Sequence, residues 1–251
     1  MSGGGFRLLA EGHWQAAQVA TQIAPSTLDH AGVDDGPWQR EKARLGDRLF
    51  DGAMCRFESL EVDGDRLTLR VSRTSYRVFV NTNIFGPREL PTAARANPIG
   101  VSSILETSDA KLLLGRRGNG VAYYPRRVHP FAGSLEWPRD GAAIDVFAEC
   151  RRELLEELRL GESEIEWLRL VAVCEDVDLR HPELLLHAKT TATAASLRGR
   201  LDPAEHDELH VIDATRSAVT AALQDAALTP VARASLARWN SLHGRATGGA
   251  V

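Results

Sequence analysis

The chain is poor in cysteine: Cys55, Cys150 and Cys174 are widely spaced, odd in number and include no CxxC pair. That argues against a disulfide framework and a cysteine-built zinc site, and reads as three reduced, mostly buried thiols of a cytoplasmic protein. No apolar run is long enough to cross a bilayer, so no membrane partner is expected. The start, Met1-Ser2-Gly3-Gly4-Gly5, has neither the basic nor the apolar region of a secretory signal. A large excess of one charge is also missing. The net charge of −4 argues against general nucleic-acid binding, although a local basic cluster can still meet a phosphate. No internal repeat or low-complexity run is evident. The 251 residues, 43 % hydrophobic, suffice for one large domain or two small ones.

Pro87, Pro91 and Pro98 fall close together with Gly86 among them, which places a connection near Asn97. Two regions are therefore expected, 1–97 and 98–251. In the first, Phe6 to Thr21 reads weakly as a strand and then a helix, and Trp38 to Leu49 as a helix. Ala53 to Leu60 and Arg66 to Ser72 read as strands about a turn at Gly64, with Leu67, Leu69 and Val71 alternating with polar residues. In the second, strands are expected at Val101 to Leu105, Lys111 to Gly115, Glu166 to Cys174, Glu183 to Thr191 and His210 to Asp213. Val121 to Tyr124 reads as a further extended piece. Helices are expected at Ala214 to Ala227 and Pro230 to Leu242, with a frayed tail from Ala246 to Val251. Strands, one central helix, strands and closing helices describe an α+β sandwich.

The central helix carries the chemistry. Cys150-Arg151-Arg152-Glu153-Leu154-Leu155-Glu156-Glu157-Leu158 contains no Gly, Pro or β-branched residue. Glu153, Glu156 and Glu157 lie three and four residues apart on one face, with Glu149 one turn earlier. Carboxylates so placed repel one another, and a hard divalent cation relieves that repulsion. An acidic solvated face paired with Arg151, Arg152 and Arg159 is the plainer reading of the helix alone.

Arg152-Glu153-Leu154-Leu155-Glu156-Glu157 fits the Arg-Glu-aliphatic-x-Glu-Glu core of the Nudix box, and His129-Pro130-Phe131-Ala132-Gly133 sits where that family has its glycine-containing turn. The chain resembles a Nudix hydrolase. Trp137 to Ala143 look like an insertion, the family's upstream Glu falls on Ile144 beside Asp145, and its downstream Gly falls on Arg159. The resemblance implies a Nudix-type α/β/α sandwich with a mixed sheet, preceded here by a smaller α+β region. It implies hydrolysis of a nucleoside diphosphate linked to another moiety, with Mg²⁺ (or Mn²⁺ in its place) on Glu153, Glu156 and Glu157. Glu149 is an extra ligand candidate on geometry alone. Arg152 would orient the carboxylates. The general base is a box glutamate such as Glu153, or a loop glutamate, for which Glu205 and Glu208 both qualify; His206 reads as a surface loop residue. Arg116 and Arg117 after a strand suit a diphosphate, and Tyr76, Tyr123 and Tyr124 suit stacking on a base.

Leu49-Phe50-Asp51-Gly52-Ala53 with Arg56-Phe57, then Thr74 to Phe79 and Asn81-Thr82-Asn83, look like the leading domain of the UDP-sugar diphosphatase branch. That similarity implies cleavage of UDP-glucose or a related UDP-sugar to UMP and a sugar 1-phosphate. Another nucleotide substrate such as ADP-ribose, or a non-catalytic nucleotide-binding module of the same fold, are the alternatives. Oligomeric state is not legible in the sequence.

Overall fold

The computed structural model describes residues 5–46, 49–139 and 142–244. The expected frayed tail lies outside these residues, as do residues 47 and 48 of the expected first helix and residues 140 and 141 of the expected insertion. Strands β1 (Phe6–Trp14) and β2 (Val19–Ile23) are joined by a 3-10 turn at Ala16–Gln18, where a helix was expected. Tertiary pairing overrides the weak helical signal: Val19 to Ile23 run parallel to Leu67 to Val71. Helix α1 (Gly36–Leu45) starts with Pro37 in its first turn, where a missing N–H costs nothing. Strands β3 (Ala53–Asp63) and β4 (Arg66–Ser75) form the expected hairpin, turning through Gly64 at a φ of 57°. A short helix α2 (Tyr76–Phe79) runs on into one π turn, Val80–Ile84.

Beyond it come β5 (Gly100–Glu106), β6 (Lys111–Arg117), β7 (Val128–His129), β8 (Phe131–Ser134), α3 (Val146–Leu158), β9 (Ile165–Asp176), β10 (His181–Thr190), α4 (Ala194–Arg198), β11 (His206–Asp213), α5 (Arg216–Ala222) and α6 (Pro230–Gly244). Two sequence expectations shrink here. Val121 to Tyr124 form no strand, because the chain turns back between β6 and β7 with Tyr124 and Arg126 at positive φ. The helix expected over Ala214 to Ala227 is only Arg216–Ala222, capped by the Thr215 side chain and ended by a turn at Asp225.

The large sheet runs β1-β9-β10-β5-β6-β11, with β7 added to β6 and β8 to β5. It is mixed: β10 and β5 are parallel, and the other pairs are antiparallel. Side-chain alternation sends Val101, Leu105, Leu113, Leu184 and Leu186 to one face against Cys150 and Leu154 of α3. Ile104, Leu112 and Leu114 go to the other face against Leu236 and Trp239 of α6. The fold is therefore an α/β/α sandwich, and its central strands are apolar on both faces because both are covered. A smaller sheet, β2-β4-β3, accompanies α1. Its Leu67, Leu69 and Val71 share the α3 core, and β1 forms an edge of the large sheet, so residues on both sides of Asn97 build one core.

The site is positioned by a split in the sheet. β5 and β6 pair only at Leu105–Leu113 and Glu106–Leu112 and then diverge. β8 and β7 fill the gap, which brings Gly133 opposite Val101 and under α3. β3 closes the same side through main-chain bonds from Cys55 to Leu135 (2.8 Å) and from Trp137 to Ala53 (3.0 Å).

Candidate active site

Helix α3 begins where Asp145 Oδ1 accepts from the amides of Phe147 (2.8 Å) and Ala148 (3.0 Å). Asp145 is thus a helix cap. The helix ends at Arg159, which holds the left-handed conformation (φ 50°, ψ 36°) that glycine most readily adopts. With Val146, Phe147, Cys150, Leu154 and Leu158 buried against the sheet, the glutamates are left along one edge.

Those glutamates differ in environment. Glu153 and Glu157 are buried, whereas Glu156 is open. Arg152 binds three of the four acids: Glu149, Glu153 and, at 2.6 Å, Glu156. The Arg152–Glu156 contact is an i,i+4 pair along the helix. Burial, with the charges of Glu157, Glu149 and Glu156 nearby, pushes the Glu153 carboxyl up to about 8 despite Arg152. Burial also raises Glu157 and Glu149. Glu157 Oε1 accepts the Ala132 amide at 3.4 Å, while its buried Oε2 faces the His206 Nε2 at 3.1 Å.

Gly133, expected in a turn, is instead in strand β8 and needs to be glycine for a different reason. A Cβ there would sit 2.9 Å from Glu153 Cγ and overlap its carboxylate. The missing side chain is the space in which Glu153 lies.

A cavity of about 370 Å³ opens beside this edge, within the range of small-ligand sites. Glu153, Glu156, Glu157, Arg152 and Gly133 line it, together with Arg117, Tyr76 and Glu205 from the sequence reading. Arg117 is 9 % exposed, stacks 4.8 Å over the Tyr123 ring, has no carboxylate within ion-pair distance among the described residues, and its Nε has no partner. A buried guanidinium with no ion pair among the described residues is costly, and an anionic ligand in the cavity would supply one.

Other expected residues lie elsewhere. Arg116, one position before Arg117 on a strand, points to the opposite face and pairs with Glu208 at 3.2 Å, so neither lines the cavity. Glu208 belongs to β11 and not to a loop. Tyr124 turns away to donate to Asp176 at 2.8 Å. Glu149 is held by Arg152 and is not among the lining residues. His206 is 3 % exposed, contrary to the surface role expected of it. The sequence reading also missed Glu136 and Asp202, both at the cavity, and the apolar wall of Leu45, Leu49, Phe50 and Met54. No spacing rule marks these, because separate elements bring them together.

Among the described residues, no three His, Cys, Asp or Glu side chains already converge as a metal cage; Arg152 gathers the carboxylates instead. The donor set nonetheless suits a hard cation. Three carboxylates of one helix edge line the cavity, and burial, with the neighbouring acids' charge, raises Glu153. No described helix is long and apolar enough to cross a membrane. All three cysteines are buried and form no disulfide.

No family model matches the chain. Among curated proteins it is similar to Nudix hydrolase 9 of Arabidopsis thaliana, with 29 % identity over 106 residues, 35 % of this chain and 34 % of that one. The chain thus matches about a third of that relative's length. Solved structures similar to it include a NUDIX-family hydrolase from Clostridium perfringens (15 % identity, 58 % of this chain and 98 % of that chain, TM-score 0.36) and a MutT protein from Methanosarcina mazei (15 %, 59 % and 96 %, TM-score 0.41). An Ap4A hydrolase from C. elegans, solved as a binary complex, is similar at 14 % identity over 59 % of this chain and 98 % of that one, with a TM-score of 0.39. The curated match is to a protein called a Nudix hydrolase, and its name mentions no UDP-sugar.

Proposed function

We propose that the chain is a Nudix-type hydrolase that cleaves a nucleoside diphosphate linked to another moiety. The observation that carries this reading is the pairing, across one cavity, of an acidic helix edge with a buried guanidinium that makes no ion pair among the described residues. A cation-dependent ligand bearing a diphosphate answers both features.

Glu153, Glu156 and Glu157 would hold Mg²⁺, with Mn²⁺ as a substitute. The bound ion would neutralise phosphate charge and lower the pKa of a water. Arg152 orients these acids. Arg117 binds diphosphate oxygens and offsets their charge as water adds to phosphorus and the bridging P–O bond breaks. The products are two phosphate monoesters. Glu205, which lines the cavity, takes the proton from water; Glu208, paired outward with Arg116, does not. Glu205 is held beside Arg117 because its carbonyl accepts the Gly118 amide at 2.9 Å. The base packs against Tyr76 and the Leu49–Phe50 wall.

The substrate named first is UDP-glucose or a related UDP-sugar, giving UMP and a sugar 1-phosphate. The support for it is that Leu49, Phe50, Gly52, Ala53 and Tyr76, from the segments resembling the UDP-sugar branch, line the same cavity as the acidic helix. The test is product release from UDP-glucose and ADP-ribose in parallel. UMP from UDP-glucose supports the branch, cleavage of ADP-ribose alone keeps the chemistry and removes the branch, and binding without turnover of any nucleotide supports the non-catalytic alternative.

A further inference from the structure

We infer that His206 is a positioning residue that holds the Glu157 carboxylate and keeps the Glu205 loop in register with α3; this rests on the diphosphatase reading for its role in turnover. His206 opens β11, opposite Arg117 of β6. Its ring meets Phe131 edge-on at 5.6 Å, and its Nε2 lies 3.1 Å from Glu157 Oε2. Both atoms are buried, and neither has another hydrogen-bond partner among the described residues. Buried polar atoms are nearly always paired, so two unpaired ones facing each other at this distance form one interaction.

Glu157 is therefore aimed from two sides: β8 supplies the Ala132 amide to one oxygen, and β11 supplies an imidazole to the other. The loop carrying Glu205 is tied to the same point. The Asp202 amide donates to the Glu157 carbonyl at 2.8 Å, and the His206 amide donates to the Asp202 carbonyl at 3.0 Å. The ring has space because residue 115 is glycine; a Cβ there would lie 2.8 Å from His206 Cγ and closer still to Nδ1 and Cε1. Gly115 does not line the cavity, so its effect on Glu157 passes through His206.

A core histidine with a purely packing role makes a different prediction. His206→Phe keeps the ring and removes both nitrogens, whereas His206→Gln places an amide nitrogen near the position of Nε2. The comparison uses crystal structures of the variants, Mn²⁺ affinity by calorimetry, melting temperature, and kcat against KM on UDP-glucose. Expected for His206→Phe are a displaced Glu157 side chain, Mn²⁺ affinity and kcat each down roughly 10- to 100-fold, little change in KM, and a melting temperature near that of the parent. His206→Gln restores most of the loss, and Gly115→Ala reproduces the phenylalanine phenotype from the neighbouring strand. An unmoved Glu157 in folded His206→Phe, or a glutamine variant as impaired as phenylalanine, overturns the inference. If the parent turns over no nucleotide, the functional reading fails, while the crystallographic comparison still decides what His206 holds.

Discussion

Gly133→Ala adds one methyl group, and the structure says where it goes. The new Cβ would lie 2.9 Å from Glu153 Cγ and inside the volume of the carboxylate. Gly133 sits in strand β8 without a positive φ, so alanine suits the backbone and the strain falls on the side chain it meets. Glu153 has little room to yield: Arg152 binds one of its oxygens, and the residue is 8 % exposed. The carboxylate must swing by about an ångström or more. A displacement of that size costs on the order of 10²-fold in turnover when the group is catalytic. The overpacking itself destabilises the fold by about 1–3 kcal/mol. Steady-state kinetics on a nucleoside diphosphate substrate, with thermal melts alongside, separate the two effects. Gly199→Ala is the control, because a Cβ there meets nothing within 4 Å. Parental kcat in a folded Gly133→Ala protein refutes both the close approach and the role of Glu153.

Arg117→Met removes a buried charge that makes no ion pair among the described residues, so stability is expected to hold or rise by about 1 kcal/mol while substrate affinity falls roughly 10- to 100-fold; chemical denaturation and KM measure the two. Glu183 gives a pH effect away from the cavity chemistry. Burial pushes its carboxyl up to about 8, and Ser102 donates to it at 2.7 Å. A raised folded pKa contributes stability that is complete below the unfolded value near 4.5 and is lost as pH rises through 8, by up to about 1.4 kcal/mol per pH unit. Glu183→Gln cannot ionise, so its unfolding free energy is expected to change less between pH 5 and 8; equal slopes in the two proteins reject this. Arg159→Gly relieves a left-handed residue at the end of α3 and is expected to raise stability by about 0.5–1 kcal/mol, read as a shift in melting temperature.

How far the sequence was legible depended on how local the signal was. Leu67, Leu69 and Val71 alternate strictly and became a strand, and the acidic run of α3 reads as a helix with no breaker in it. Val19 to Ile23 was missed because its pairing with β4 lies about fifty residues away. At the site, the helix carboxylates follow from spacing, but their inequality does not. Glu153 and Glu157 are buried only because β8 and β11 cover them. His206 was misjudged for the same reason: its segment is polar, and only the glycine at 115 on the next strand shows that a ring is accommodated there. Arg116 and Arg117 look alike in sequence, and the two-residue period of a strand separates one outward from one into the cavity.

The most direct measurement is nucleotide and sugar-phosphate release from UDP-glucose, with ADP-ribose alongside, with and without Mg²⁺, for the parent and for Glu156→Gln. Glu156 is open to solvent, so its substitution tests the cavity without disturbing the core. The account predicts Mg²⁺-dependent release of phosphate monoesters by the parent and loss of most turnover in the variant, with an unchanged melting temperature. Metal-independent cleavage, or full activity in Glu156→Gln, would contradict it.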